Sequence, residues 1–179
     1  MRTLKRKLNI LKKRNIKKRI NNFFEWISGA ELVELKSCNV SEDPVRPELD
    51  VVFRRSYGRK IFGVKYKKEI CAIMCFGFTN DIPKTVEELN LMTKDAHLQS
   101  ALRDQNVGKI AIAYTIWSKK KGGGKLIVKE VFKKIKQSNH LNRLITLSPL
   151  TDIARNFHLH NGAFELQINE TTQNFEYKV

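Results

Sequence analysis

Two long apolar runs dominate the pattern of hydrophobic and polar positions along this chain. One covers residues 69–78, and the other, residues 109–117, is almost wholly apolar. A strand that is apolar on both sides belongs in the middle of a sheet, where both faces are covered. Shorter apolar runs at 61–66 and 144–147 predict further strands, the second of them also central.

Weaker patterns predict the remaining elements. Residues 51–53 read as a short strand, and residues 164–168 and 174–177 read as two late strands. Residues 23–35 carry apolar side chains at helical spacing and predict a helix broken near Gly29. Residues 41–47 predict a loop, which Pro44 and Pro47 mark.

Three further helices have clearer signals. Thr85 predicts an N-cap, and Glu88 three residues later completes a capping box. Residues 125–136 are amphipathic, and another helix is expected to start near Thr151 or Asp152. The order strand, glycine loop, helix, strand around residues 109–147 predicts a parallel βαβ unit within a mixed sheet. The expected fold class is therefore α/β or α+β, and 179 residues suffice for one domain with its own core.

Positive charge is concentrated at one end of the chain. The net charge is +16, but residues 1–20 hold ten cations and no acid, which leaves 24 basic against 18 acidic residues elsewhere. We expect a basic helix or arm over residues 1–22, followed by a domain over 23–179. The arm could be a solvated helix or an oligomer contact, could bind nucleic acid or an anionic membrane, or could be a processed targeting segment.

The cysteines and the lengths of the apolar runs argue against a disulfide-bonded, a metal-binding and a membrane-spanning protein. Cys38, Cys71 and Cys75 lack the spacing of a disulfide framework or of a metal site, so free thiols are expected. No apolar run approaches the roughly 20 residues of a membrane helix. We therefore expect a cytoplasmic location, with an organellar targeting segment left open.

A glycine-rich turn lies between a buried strand and a helix, and it is a candidate phosphate-binding loop. Glycines there let backbone N–H groups turn towards a ligand, and a helix N-terminus adds partial positive charge. A flexible solvated turn is the alternative, because the spacing is neither that of a Walker loop nor that of a dinucleotide fingerprint. The candidate residues are Lys121, Gly122, Gly123, Gly124 and Lys125.

Ser148 and His158 are the candidate reactive side chains. Ser148 follows a central strand and so lies at its C-terminal end, where ligands bind in open α/β sheets. His158 and His160 flank Leu159, and their side chains would point in different directions if this segment is helical. Taken singly, each residue is better explained by a turn or by a structural role than by catalysis.

Around these residues the chain resembles the catalytic domain of malonyl-CoA decarboxylases, a branch of the GNAT acyltransferase superfamily. The resemblance covers roughly residues 25–179 and is strongest in NFHLHNGA at 156–163, which matches the family's N-F-H-L-x-N-G-A. The other matching segments are IMCFGFTNDI (73–82), IAIAYTI (110–116), TLSP (146–149), QIN (167–169) and NFEY (174–177). The glycine turn departs from the family's G-V-E-L-G, so a site glutamate of that family has no counterpart here.

The resemblance implies a GNAT-like mixed central β-sheet flanked by helices, here with a basic N-terminal helix. It implies that Ser148 and His158 are the catalytic pair, that Tyr177 and Asn161 contact substrate, and that Thr115 joins the glycine turn in binding CoA. The implied reaction converts malonyl-CoA or a related acyl-CoA to acetyl-CoA and CO₂, with acyl-CoA as substrate and no permanently bound cofactor.

Two alternatives stay open. One is a GNAT-type N-acyltransferase that uses acyl-CoA, and the other is a non-catalytic CoA-binding module with a basic arm. The partners expected are acyl-CoA, a second copy of the chain in a homo-oligomer, and an anionic surface bound through residues 1–20.

Overall fold

The computed structural model describes residues 16–103 and 108–178 of the chain. Its strands form one mixed β-sheet. Its strands follow the order β1-β2-β3-β4-β5-β8-β6, and β7 pairs with β8. Neighbours are antiparallel except β4 and β5, which are parallel and joined by helix α4. The predicted βαβ unit is therefore confirmed. The strands are β1 (Ala30–Leu35), β2 (Lys60–Tyr66), β3 (Glu69–Thr79), β4 (Ile110–Ser118), β5 (Arg143–Thr146), β6 (Ser148–Pro149), β7 (Phe164–Ile168) and β8 (Thr172–Tyr177).

Helices cover both faces of the sheet. They are α1 (residues 16–28), α2 (Val51–Arg55), α3 (Val86–Arg103), α4 (Gly123–Lys136) and α5 (Asp152–His160). On one face, Trp26 of α1 and Val131 of α4 pack into a core with Phe76. On the other face, Leu89 of α3 packs against Ile61 and Cys75. The prediction of a mixed sheet flanked by helices is confirmed.

The start of α3 follows the predicted cap with one change. The hydroxyl of Thr85 accepts the Glu88 backbone N–H at 3.2 Å, as expected. The Glu88 carboxylate accepts the backbone N–H of Lys84 at 2.7 Å, where a capping box would use that of Thr85. The cap therefore extends one residue further back than predicted.

Three sequence predictions are wrong about the type or bounds of an element. Residues 30–35 are not helical: α1 ends at residue 28, and β1 then finds backbone partners along β2. Residues 51–53 form α2 instead of a strand, because the Asp50 carboxylate caps the Phe53 N–H at 2.7 Å. Gly123 and Gly124 belong to α4 instead of a loop.

The basic arm is described only in part. Residues 1–15 lie outside the described residues, and the predicted boundary between 22 and 23 falls inside α1. Near the end of that helix Trp26 is buried in the core, so α1 is attached to the domain. In the described part of the chain, no helix is both long and apolar enough to cross a membrane.

The sheet opens between β4 and β5, and this positions the site. The ladder pairs Ile110–Ala113 with Arg143–Thr146 and ends with the Leu147 N–H donating to the Ala113 carbonyl at 2.8 Å. Just beyond it, Tyr114 is an extra residue in β4, because Ala113 and Thr115 face consecutive residues of β3. From Tyr114 to Ser118, β4 has no strand partner on its β5 side among the described residues.

Candidate active site

The opening between β4 and β5 is a cleft of about 500 Å³. Its walls include Val45 from the loop before α2, Ile116 and Trp117 from β4, and Phe157 from α5. No Lys, Arg, Asp or Glu is among the described residues that line it. The cleft is therefore mostly apolar and uncharged, with a few hydroxyl groups, one indole and one imidazole as its polar side chains.

The structure brings together the predicted pair and the predicted tyrosine. The Ser148 Oγ lies 2.9 Å from Nε2 of His158, and the other ring nitrogen, Nδ1, lies 2.9 Å from the Tyr177 hydroxyl. All three side chains are buried, and all three line the cleft. Ser148 and His158 are therefore within hydrogen-bond reach of each other, and the catalytic role of the pair remains a prediction.

Helix α5 aims His158 into the cleft. The Thr151 side chain caps the helix by accepting the Ala154 N–H at 3.3 Å, which confirms the predicted start. His160 points elsewhere: it is exposed, and its Nδ1–H donates to the Asn156 carbonyl at 2.6 Å. The side chains of His158 and His160 thus point in different directions, as predicted for a helical segment.

Burial keeps His158 neutral. Desolvation lowers its pKa from 6.5 to about 4, because the charged imidazolium would lose its water. The ring stacks on Phe175 at a centroid distance of 5.0 Å and meets Phe157 edge-on at 5.1 Å. Burial also raises the pKa of Tyr177, so that its phenol keeps its proton. At neutral pH, the chain from Tyr177 to Ser148 carries no net charge.

Thr146 completes this chain and was not predicted as a site residue. The Ser148 hydroxyl donates to the Thr146 Oγ1 at 3.1 Å, and that oxygen accepts the Phe175 N–H at 3.2 Å. Thr146 is two residues before Ser148, and side chains two residues apart along a strand point to the same face. This alternation was a sequence signal that could have identified Thr146. Thr146 thus links Ser148 to β8.

The glycine turn leads directly into α4. Gly122 is the N-cap with φ of +84°, a left-handed conformation that glycine adopts without strain. A Cβ added at Gly122 would lie 3.2 Å from a carbon of the Phe23 ring in α1, so a larger residue would fit tightly there. Gly124 lines the cleft itself. The N-terminus of α4 therefore borders the cleft.

The lysines of the turn are not equivalent. Lys119 pairs with Glu42 at 2.5 Å. The Lys120 ammonium lies between two aromatic rings, 4.6 Å from the Trp26 centroid and 4.3 Å from the Tyr66 centroid. Among the described residues, Lys121 and Lys125 have no ion-pair partner. These two are the cations left for a ligand phosphate.

Thr115 lines the cleft, but its hydroxyl is already engaged. It donates to the buried carboxylate of Asp43, with oxygen–oxygen distances of 2.8 and 2.7 Å. A CoA contact at this residue would therefore use its backbone. Asn161 lies away from the cleft: it ends α5, and its side-chain amide donates to the Phe157 carbonyl at 2.7 Å. It borders a separate depression with Lys125 and Tyr177.

Arg46 is a site-supporting residue that the sequence did not reveal. Its Nε donates to the Tyr114 carbonyl at 2.9 Å, and its Nη2 donates to the Leu147 carbonyl at 3.3 Å. The guanidinium thus bridges β4 and β5 where their ladder ends, directly before Ser148. No sequence signal pointed to it, since the segment read only as a proline-marked loop.

No metal site accompanies these residues. Within residues 16–103 and 108–178, no group of three or more His, Cys, Asp or Glu side chains is placed to hold an ion.

No protein-family model and no curated protein matches this sequence. Solved structures do match, at low identity. The malonyl-CoA decarboxylase from Cupriavidus metallidurans superposes with a TM-score of 0.62 at 15% identity over 88% of this chain. A Bacillus subtilis acetyltransferase in complex with CoA gives 0.56 at 12% identity, over 84% of this chain and 97% of the other. The chain has the GNAT fold. The GNAT fold that the sequence resemblance implied is therefore confirmed.

A third solved structure is also that of a decarboxylase. GphF, a GNAT-like decarboxylase in complex with isobutyryl-CoA, superposes with a TM-score of 0.59 at 10% identity, over 83% of this chain and 98% of the other. This chain covers 63% of the Cupriavidus metallidurans protein. At such identities the likeness establishes the GNAT fold, while the reaction has to be argued from the cleft.

Proposed function

We propose that this protein decarboxylates malonyl-CoA, or a related acyl-CoA with a carboxylate on its α-carbon, using Ser148 and His158. The observation that carries the proposal is the hydrogen-bonded chain Tyr177–His158–Ser148 in a cleft without charged walls. Two proteins of the same fold support the choice, since one is a malonyl-CoA decarboxylase and the other a GNAT-like decarboxylase.

The substrate would lie in the split of the sheet. The pantetheine arm has amide groups that can hydrogen-bond to the unpaired edge of β4 from Tyr114 to Ser118, as an added strand does. The pyrophosphate would then meet the N-terminus of α4, with Lys121 and Lys125 supplying full positive charge. This orientation brings the thioester to Ser148.

The reaction needs one bond broken and one proton added. When the bond between the α-carbon and the carboxylate breaks, CO₂ leaves, and the electron pair stays on the α-carbon as a thioester enolate. A proton, taken overall from solvent, then ends on that carbon and gives acetyl-CoA. The enzyme therefore has to stabilise the enolate oxygen and deliver a proton.

Ser148 is placed for the first task. With the Tyr177 O–H donating to Nδ1 of His158, Nε2 carries the proton and donates to the Ser148 Oγ. The Ser148 O–H is then free to turn from Thr146 to the enolate oxygen. In this arrangement His158 orients Ser148 and exchanges protons with it, and the neutral ring suits both roles.

The walls of the cleft favour loss of a carboxylate. An anionic carboxylate loses hydration among residues such as Val45, Leu147 and Phe157, whereas the CO₂ that it becomes is uncharged. The enolate charge, in contrast, develops beside the Ser148 hydroxyl. The cleft therefore stabilises the transition state more than the bound substrate, and such a difference in stabilisation accelerates a reaction.

The same walls argue against N-acyl transfer. An acyltransferase has to take a proton from an incoming ammonium group, and no carboxylate lines the cleft among the described residues. His158, with its pKa lowered to about 4, is a weak base. The acyltransferase alternative therefore has less support from this site.

The test is to incubate the full chain with malonyl-CoA and to quantify CO₂ and acetyl-CoA together. We expect equal amounts of both, with losses of about a hundredfold or more in Ser148→Ala and His158→Ala. His160→Ala is the matched control, because His160 is exposed on the same helix. Turnover that survives both site substitutions would rule the proposal out, as would release of CoA to an amine without CO₂.

A further inference from the structure

A second cavity, of about 620 Å³, lies at the opposite end of β4 from the cleft. Ala111 and Gly108 line this cavity, whereas the cleft begins at Ala113. Helix α4 contributes Val131 and Ile135 here and Gly124 to the cleft. The two spaces share no lining residue, and the proposed decarboxylation leaves this one unexplained. Its volume is in the range of small-molecule sites, roughly 300–1,000 Å³.

The interior of the cavity is apolar and aromatic. Phe62, Phe76 and Phe78 project from neighbouring strands, and Val131 and Ile135 face them from α4. Phe62 and Phe76 meet edge-to-face with ring centroids 5.8 Å apart. Both rings are buried, and they form part of the cavity floor. Such an interior takes a hydrocarbon chain.

The charged side chains and the imidazoles lie at the rim, and together they favour an anion. Lys60 pairs with Glu34 at 3.1 Å, which neutralises both charges. Lys134 has no ion-pair partner among the described residues, and its ammonium lies 5.5 Å from the Phe62 ring centroid. His97 and His140 add two imidazoles to the same rim. One unpaired cation next to an aromatic floor suits a ligand with a single negative charge.

The backbone at the rim is strained in a way that shapes the opening. Tyr57 has φ of +53°, and Gly58 follows with φ of +72°. A left-handed conformation is unfavourable for a non-glycine residue, so packing must hold Tyr57 there. Its ring lies beside His97, with centroids 6.2 Å apart. The turn thereby forms one lip of the cavity.

We propose that this cavity binds a medium-chain fatty carboxylate, with the hydrocarbon tail against the three phenylalanine rings and the carboxylate at Lys134. The interior accounts for the tail, and the unpaired ammonium beside it accounts for the head group. The proposal does not depend on the decarboxylation, because no residue of the cleft takes part.

Isothermal titration of the full chain with dodecanoate, below its micelle concentration, tests the proposal. Lys134→Met removes the charge and keeps the aliphatic stem, and we expect about tenfold weaker binding or more. Lys133→Met is the matched control: Lys133 is exposed at the adjacent position of α4, does not line the cavity, and its substitution should leave the affinity unchanged. Equal losses in the two variants, or none in either, would refute the head-group assignment.

Two further measurements locate the ligand. Ala96→Leu puts a larger side chain on the cavity wall, so dodecanoate binding should fall, and thermal unfolding of the variant checks that the fold is kept. Saturating CoA should not displace dodecanoate, and Ser148→Ala should bind it normally. Displacement by CoA would place the ligand in the cleft and overturn the proposal, and equal affinity for uncharged dodecanol would overturn the choice of a carboxylate.

Discussion

Asp43 and Arg54 form an ion pair of 2.9 Å in which both side chains are completely buried. The Asp43 carboxylate also accepts the Thr115 hydroxyl of β4 and the backbone N–H groups of Val45 and Arg46. One buried carboxylate thereby ties the loop that walls the cleft to α2 and to the central strand. The shape of the cleft depends on this pair.

Replacing Asp43 should destabilise the fold strongly. In Asp43→Asn the Arg54 guanidinium stays buried without its counter-charge, and breaking such a pair costs about 3–5 kcal/mol. Denaturant unfolding of the two proteins measures this difference. The control is Glu34→Gln, which breaks the exposed pair with Lys60 and should cost about 1 kcal/mol at most. Similar losses in both variants would contradict the structural role of the buried pair.

Stability should fall with acid in a way that His158 explains. Its folded pKa of about 4 lies below the ordinary value of 6.5, so above pH 6.5 the ring is neutral in both states and contributes no pH dependence. Between pH 6.5 and 4 the unfolded chain takes up the proton first, which lowers the free energy of unfolding by about 3 kcal/mol in total. Below pH 4 both states are protonated and the loss levels off.

The comparison of two variants isolates this effect. The difference in unfolding free energy between wild type and His158→Gln should change across pH 4–6.5, because the variant lacks the titrating ring. His160→Gln, on the exposed side of the same helix, should follow the wild type. A constant difference for His158→Gln would show that the ring is not held neutral by burial.

Removing the Tyr177 hydroxyl should slow turnover more than it weakens binding. In Tyr177→Phe, Nδ1 of His158 loses its partner at 2.9 Å, so neither the proton position nor the ring orientation is held. We expect kcat with malonyl-CoA to fall about ten- to a hundredfold, with a small change in KM. Tyr66→Phe, which removes a hydroxyl that donates to Glu25 at the surface, is the control and should retain full activity. An unchanged kcat in Tyr177→Phe would remove Tyr177 from the mechanism.

The four lysines near the glycine turn should differ in their effect on CoA affinity. Lys121→Ala and Lys125→Ala each remove an unpaired cation at the start of α4 and should weaken CoA about fivefold or more at low salt. Lys119→Ala and Lys120→Ala should have smaller effects, because Glu42 and the Trp26 and Tyr66 rings already hold those side chains. Titration calorimetry with CoA at two salt concentrations measures this. Four equal effects would show that only overall charge matters.

The sequence predicted the central elements well because their signals are local. A wholly apolar run such as residues 109–117 has to be covered on both faces, and Thr85 and Thr151 cap helices through their own hydroxyl groups. Residues 51–53 were misread for a related reason. Two valines and a phenylalanine favour a strand, but the Asp50 cap and the packing of Phe53 beside Tyr114 make the segment helical.

The sequence by itself determined the strand order around the glycine turn, the start of α5, and the presence of a serine and a histidine ten residues apart. These features follow from apolar periodicity, helix caps and short sequence motifs, all of which are signals between residues that are close in the sequence. Only the tertiary structure decided that Tyr177 meets the far side of His158, that Thr115 is engaged by Asp43, and that Arg46 bridges the parted strands. These contacts span 19, 72 and 68 residues of chain. They exist because burying a polar group without a partner is unfavourable, and the partner that satisfies it is set by the packing of the whole sheet.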